Sequence, residues 1–203
     1  MGTSLFRRKW TTGDFVLILM VAALYAGAIA LFAQVKLIPQ VPIRPANALQ
    51  PVFGLLFGIP GCIGLGIGNL VSDLMMGSTA PHVLAAGFVA NFLGGFIAYV
   101  FVKDPSLKED RSYIHYIVFV VLLASVVVSC TILINVALGL TPKEIVPAYI
   151  RAVFLNQAIA TAVLGPILLK LLYPFVHRTG LYRGRQIGSG YEERIHRKDP
   201  HFR

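Results

Sequence analysis

The sequence predicts an all-α integral membrane protein with six transmembrane helices, the second and third of them short or forming a hairpin. Three observations predict it. Of the 203 residues, 56% are hydrophobic and only 13% are charged, where soluble domains carry roughly 25% charged residues. The apolar residues fall into long runs, and about 20 such residues cross a hydrocarbon core of about 30 Å. The Lys and Arg residues gather in alternate loops and the tail, which is the positive-inside bias of membrane proteins. The net charge of +9 could suggest nucleic acid, but no basic face on a soluble domain supports it, and no nucleic-acid partner is expected. Cys62 and Cys130 sit inside apolar runs without metal spacing. They read as small buried hydrophobes. No metal and no cofactor is expected.

Residues 1–13 form a basic leader with Arg7, Arg8 and Lys9. The run behind it is longer than a signal-peptide core of about 7–15 residues and has no clear small-x-small cleavage site, so it reads as a retained helix. This first span covers residues 14–35. Along it Ala22, Ala26 and Ala30 recur four apart, as do Ala23 and Gly27. Four apart means one face, and small side chains admit a neighbouring helix closely. The Ala22 stripe serves either packing within the protein or docking of a separate membrane subunit.

Residues 36–44 form a loop with Pro39 and Pro42, and Pro45 follows. Two apolar segments come next, 47–59 and 61–77, broken at Ile59-Pro60-Gly61. The first is short for a span, so it is tilted or belongs to a re-entrant hairpin. Either way the chain returns to the side it entered from. Gly64-Leu65-Gly66-Ile67-Gly68 lacks the strand, the Lys and the βαβ setting of a phosphate loop. A turn at 77–82 leads to the fourth span, 82–102, with Asn91 in its middle. Residues 103–111 are the most charged internal loop, and the fifth span covers 112–138. Thr141-Pro142-Lys143-Glu144 predicts a helix start with Thr141 as N-cap. The sixth span covers 147–176. The chain thus divides into a leader (1–13), a six-helix substrate-binding domain (14–177) and a basic tail (178–203), which is expected to be exposed and suited to anionic lipid headgroups or to fixing topology.

Six crossings put both termini on one side. With that side cytoplasmic, only Lys36, Arg44, Lys143 and Arg151 of the 18 Lys and Arg lie outside. A five-crossing chain would put the 103–111 loop and the tail outside, against the bias. In the six-crossing frame the intramembrane polar residues gather in one layer. Arg44, Asn47 and Gln50 lie at the outer end of the second span; Asn69 and Asp73, four apart on one face, lie at that of the third. Asn91 lies near mid-membrane, Asn135 in the outer half of the fifth span with Thr131 a turn below, and Arg151, Asn156 and Gln157 in the outer half of the sixth. Polar groups inside a membrane mark functional sites. Their convergence among apolar walls predicts a small-molecule cavity open to the outside. Amides read the donors and acceptors of a polar heterocycle, and Asp73 can accept from an amine or amidine. Competing readings are an Asp73 neutralised by Arg44 or Arg151, interhelical hydrogen bonds for Asn91 and Asn135, and an interfacial role for Arg44 and His82.

The run Arg44-Pro-Ala-Asn-Ala-Leu49, then Gly54–Gly58, Ile59-Pro-Gly61 and Gly66-Ile-Gly-Asn-Leu-Val-Ser-Asp73, resembles the substrate-binding S components of energy-coupling factor (ECF) transporters. The likeness covers residues 14–177, is strongest over 41–95, and is greatest to the queuosine-precursor group, although Asn47 stands where an acidic residue is expected in that group. The resemblance implies a binding subunit and not an enzyme. It implies capture of a vitamin-like solute at the outer side of the cell membrane and docking on a transmembrane coupling subunit through Ala22, Ala26 and Ala30. It also implies two cytoplasmic ATPase subunits that power the cycle, and loops at 36–46, 77–82 and 139–147 that gate the site. A self-sufficient secondary carrier would favour inverted repeats, and none is evident. An intramembrane enzyme using Asp73, Arg151 and His82 would need a nucleophile or metal set that the spacing does not supply.

Overall fold

The computed structural model describes residues 10–32 and 44–184. The leader to residue 9, the loop at 33–43 and the tail from residue 185 lie outside the described residues, and with them most of the expected 36–46 gate. The helices are α1 (Thr12–Phe32), α2 (Leu49–Met75, entered through a 3-10 turn at Pro45–Ala48), α3 (Pro81–Phe101), α4 (Asp110–Ala137) and α5 (Val146–Arg178). Among the described residues, five helical elements are long and apolar enough to cross a membrane. The expected count of six is not confirmed: the two short segments, 47–59 and 61–77, are joined within one element.

The first helix, α1, is apolar on both faces. On α1, Leu17, Val21, Tyr25 and Ile29 are buried, while Leu19, Leu24 and Leu31 are exposed. A helix apolar all round suits a bilayer, where the outer face meets lipid.

The position of the cavity follows from a bend in α2. Gly58 has φ 61° and ψ −141°, a conformation essentially confined to glycine. Pro60, two residues on, has no N–H to give the helix ladder. The chain reverses here. Before the bend, Gln50 lies beside Gly94, Gly54 against Gly95 and Gly58 near Tyr99, so this limb runs parallel to α3. After it, Leu65 meets Gly95, Gly66 meets Phe88 and Asn69 meets Gly87, so the second limb runs antiparallel. The first limb begins level with the middle of α3 and covers only half of it. Its 3-10 turn is buried at Ala46 and Ala48. At Gly54 the backbones of α2 and α3 touch: a Cβ there would strike the Gly95 carbonyl. That contact forms a plug beneath the first limb's start.

The bend strands carbonyls, and the chain after α5 returns to satisfy them. The Arg183 and Gly184 amides donate to the Leu56 carbonyl at 2.8 and 3.1 Å. The Arg183 guanidinium lies 3.5 Å from Asp14, which is buried at the start of α1. Asp14 also accepts from the Thr11 amide and hydroxyl, each at 2.9 Å. The first residues of the expected exposed tail are therefore packed against the bundle. In the 103–111 loop Asp104 is buried and accepts from the Ser106 amide and hydroxyl at 2.9 and 2.6 Å. The start of α1 and the segment after α5 share the bend's end of the bundle.

The Thr141 cap is not formed. A 3-10 turn at Lys143–Ile145 precedes α5, and neither this turn nor the helix has a side-chain cap. Thr141 faces the cavity instead.

Candidate functional site

At the end away from the bend, α1 to α5 surround a cavity of about 570 Å³. That volume suits a small molecule. Burial grades along it. Arg44 is exposed and Asn47 and Asp73 half-buried, whereas Gln50, Asn91 and Gln157 are buried. The former group marks the mouth and the latter the floor.

The floor is a hydrogen-bonded cluster drawn from four elements. The Tyr25 hydroxyl of α1 donates to Asn91 Oδ1 of α3 at 2.5 Å. Gln50 Nε2 of α2 donates to Asn91 Oδ1 at 2.7 Å and to the Tyr25 hydroxyl at 3.1 Å. Gln157 Nε2 of α5 donates to Gln50 Oε1 at 2.7 Å. Gly94 makes room for this: a Cβ there would strike Gln50 Oε1. Above the floor, Asn69 Nδ2 donates to Asp73 Oδ2 at 2.6 Å, one helical turn on. The Arg44 amide donates to Asn156 Oδ1 at 2.9 Å, which ties the start of the hairpin to α5. Ile29, Val128 and Ile132 add apolar wall. Asn135 Oδ1 and Gln157 Oε1 are buried without a hydrogen-bond partner. Unpaired buried acceptors are expensive unless a bound molecule meets them.

Arg44, Asn47, Gln50, Asn69, Asp73, Asn91, Asn135, Asn156 and Gln157, all picked out in the sequence, line this cavity together. Arg151 does not; it is exposed and outside the wall. No ion pair joins Asp73 to Arg44 or Arg151 among the described residues. His82 is also outside the wall. Tyr25 and Tyr149 line the cavity and were not anticipated. For Tyr25 a signal existed: a hydroxyl at the middle of an aliphatic span needs a partner in the bundle. On α1, Ala22 and Ala26 are buried, the former against Gly68, whose Cβ would lie 2.7 Å from the Ala22 carbonyl. Ala30 is exposed, as are Ala23 and Gly27.

Membrane-length apolar helices around a solute-sized polar cavity define the class: an α-helical membrane protein with a polar cavity of small-molecule size. The family model described as QueT transporter matches residues 15–174. The chain belongs to this transporter family, and the expected likeness to the queuosine-precursor group is met. No curated protein and no solved structure matches it.

Proposed function

We propose that this protein is the substrate-binding S component of an ECF-type transporter, and that its cavity takes up a vitamin-like heterocycle, a queuosine precursor foremost. One observation carries this reading: the intramembrane amides and the carboxylate converge on one cavity, open at one end of the bundle. Asn135 and Gln157 read the edge of the heterocycle at depth, on a floor that Gln50 and Asn91 hold in place. Asn69 and Asp73 accept from an amine or amidine nearer the mouth, where Arg44, Asn47 and Asn156 complete the rim.

The mouth faces the outside of the cell membrane and both termini are cytoplasmic, which the distribution of Lys and Arg favours. Separate coupling and ATPase subunits drive uptake. The coupling subunit meets α1 at Ala30 with Ala23 and Gly27, the small residues left exposed. Ala22 and Ala26, expected in that stripe, then serve internal packing. Arg151, exposed outside the wall, has no contact with the solute in this reading.

The test is a thermal-shift screen of the purified protein in detergent against vitamins, queuine, its precursors and related heterocycles. A solute at a thousandfold excess over Kd stabilises by about 4 kcal/mol. A large shift with one 7-deazaguanine, abolished in Asn69→Ala with Asp73→Asn, supports the reading. Unchanged affinity in that double variant removes the site. Co-purification of coupling and ATPase subunits with wild type, but not with Gly27→Trp, tests the docking face.

A further inference from the structure

The hydrogen bonds at the cavity floor have a direction, and a backbone carbonyl sets it. Asn91 Nδ2 donates to the Gly87 carbonyl at 2.8 Å. A carbonyl only accepts, so the Asn91 amide must hold its nitrogen there and its Oδ1 the other way. That oxygen accepts from Tyr25 and from Gln50 Nε2. Gln50 must then turn its own Oε1 toward Gln157, where it accepts from Gln157 Nε2. Gln157 is the last member. One N–H of its nitrogen is committed to Gln50, and its Oε1 is left buried and unpartnered on a residue that lines the cavity. Turning any one amide over would set oxygen against oxygen, or N–H against N–H, at hydrogen-bonding distance. Asn135 Oδ1 is also buried and unpartnered. No such relay holds its amide, so it can turn to suit either kind of group.

We propose that this relay fixes Gln157 Oε1 as an acceptor that cannot be exchanged for the amide nitrogen, and so makes Gln157 a specificity-determining residue. The solute must bring an N–H or O–H donor to the floor. A solute of the same shape with an acceptor at that point is rejected. Asn91 and Gln50 are positioning residues, because they act on this choice through Gln157. The inference rests on the cavity being the solute site.

The experiment measures binding of 7-deazaguanine to the purified full chain by calorimetry, beside three analogues that each lack one N–H donor. These are 7-deazahypoxanthine without the exocyclic amine, 7-deaza-2-aminopurine with an acceptor at ring N1, and 9-methyl-7-deazaguanine without the pyrrole N–H. For wild type, one analogue binds about ten- to a hundredfold more weakly than the parent, the usual penalty of an unmet buried polar group. In Gln157→Met that gap closes, because the parent loses affinity and the deficient analogue does not. In Asn91→Leu the gap also narrows, because Gln50 and Gln157 are then free to turn over together. General loosening of the bundle would weaken parent and analogue alike and leave their ratio unchanged. Equal binding of all four compounds to wild type overturns the relay and leaves the solute site standing. A gap that persists in Gln157→Met or Asn91→Leu does the same. No binding of 7-deazaguanine at all overturns the reading of the site, and this inference with it. The wild-type series needs no variant, so it decides the matter even if neither substitution folds.

Discussion

The two ends of the bundle handle buried polar groups in opposite ways. At the bend, the carbonyl and carboxylates named above are met from the same chain: Leu56 by the amides of Arg183 and Gly184, Asp14 by Thr11 and Arg183, Asp104 by Ser106. At the mouth, the amides are tied to one another only in part, and Gln157 and Asn135 keep bare oxygens. A closed set of partners is what a bilayer demands of structure. Two of the open acceptors, on Asn135 and Gln157, belong to residues that line the cavity, where a further molecule can complete them. Polarity inside a membrane therefore does not by itself mark a site; incomplete polarity beside a cavity points to one.

Substitutions can break that contrast. The largest effect is expected at the closed end, in Gly58→Val. Its Cβ would lie 2.6 Å from the Arg183 carbonyl, at a φ of 61° that side chains rarely adopt. A loss of about 3 kcal/mol or more is expected, read as a collapse of the melting temperature in detergent; an unchanged melting curve would mean that the bend does not hold this end together. Next comes Gly94→Ala at the open end. The new methyl displaces Gln50, and solute affinity should fall about ten- to a hundredfold, with about 1–3 kcal/mol of destabilisation from overpacking. Calorimetry beside a melting curve separates the two, and intact affinity would remove Gln50 from the floor. Asp73→Asn is a test of the mouth alone. Affinity for an amine-bearing solute should drop about tenfold, with stability within about 0.5 kcal/mol; a large stability loss with unchanged affinity would turn Asp73 into a structural residue. The smallest effect is expected from Arg183→Ala. The backbone bonds to Leu56 remain, and the ion pair of a partly exposed arginine is worth about 1 kcal/mol or less. Solute binding should not change.

Most of the fold is legible in the sequence because length and apolarity alone define a crossing helix. The termini of α1, α3, α4 and α5 fall within a few residues of where the apolar runs end. The depth of the first hairpin limb is not legible. Thirteen or so apolar residues make about 20 Å of helix, and nothing local says whether they start at the surface or in the middle. The Arg44 amide on Asn156, a contact across 112 positions, decides it. The cavity residues are readable since amides in an apolar run stand out. Arg151 was separable by phase: five residues before Asn156 is about 140° around the helix. Of the two small-residue stripes on α1, either could face inward. The choice is made by Gly64 and Gly68 of α2, which receive Val21 and Ala22.

The plug beneath the floor has a further consequence. Gly54 and Gly95 meet backbone to backbone. A barrier made of side chains opens by a change of rotamer, within nanoseconds. A barrier made of main chain has no rotamers to change. It parts only if whole helices separate, against the hydrogen bonds that tie Gln50 to α1, α3 and α5. Between α2 and α3, the way past the floor is therefore closed by main chain and not by a side-chain gate.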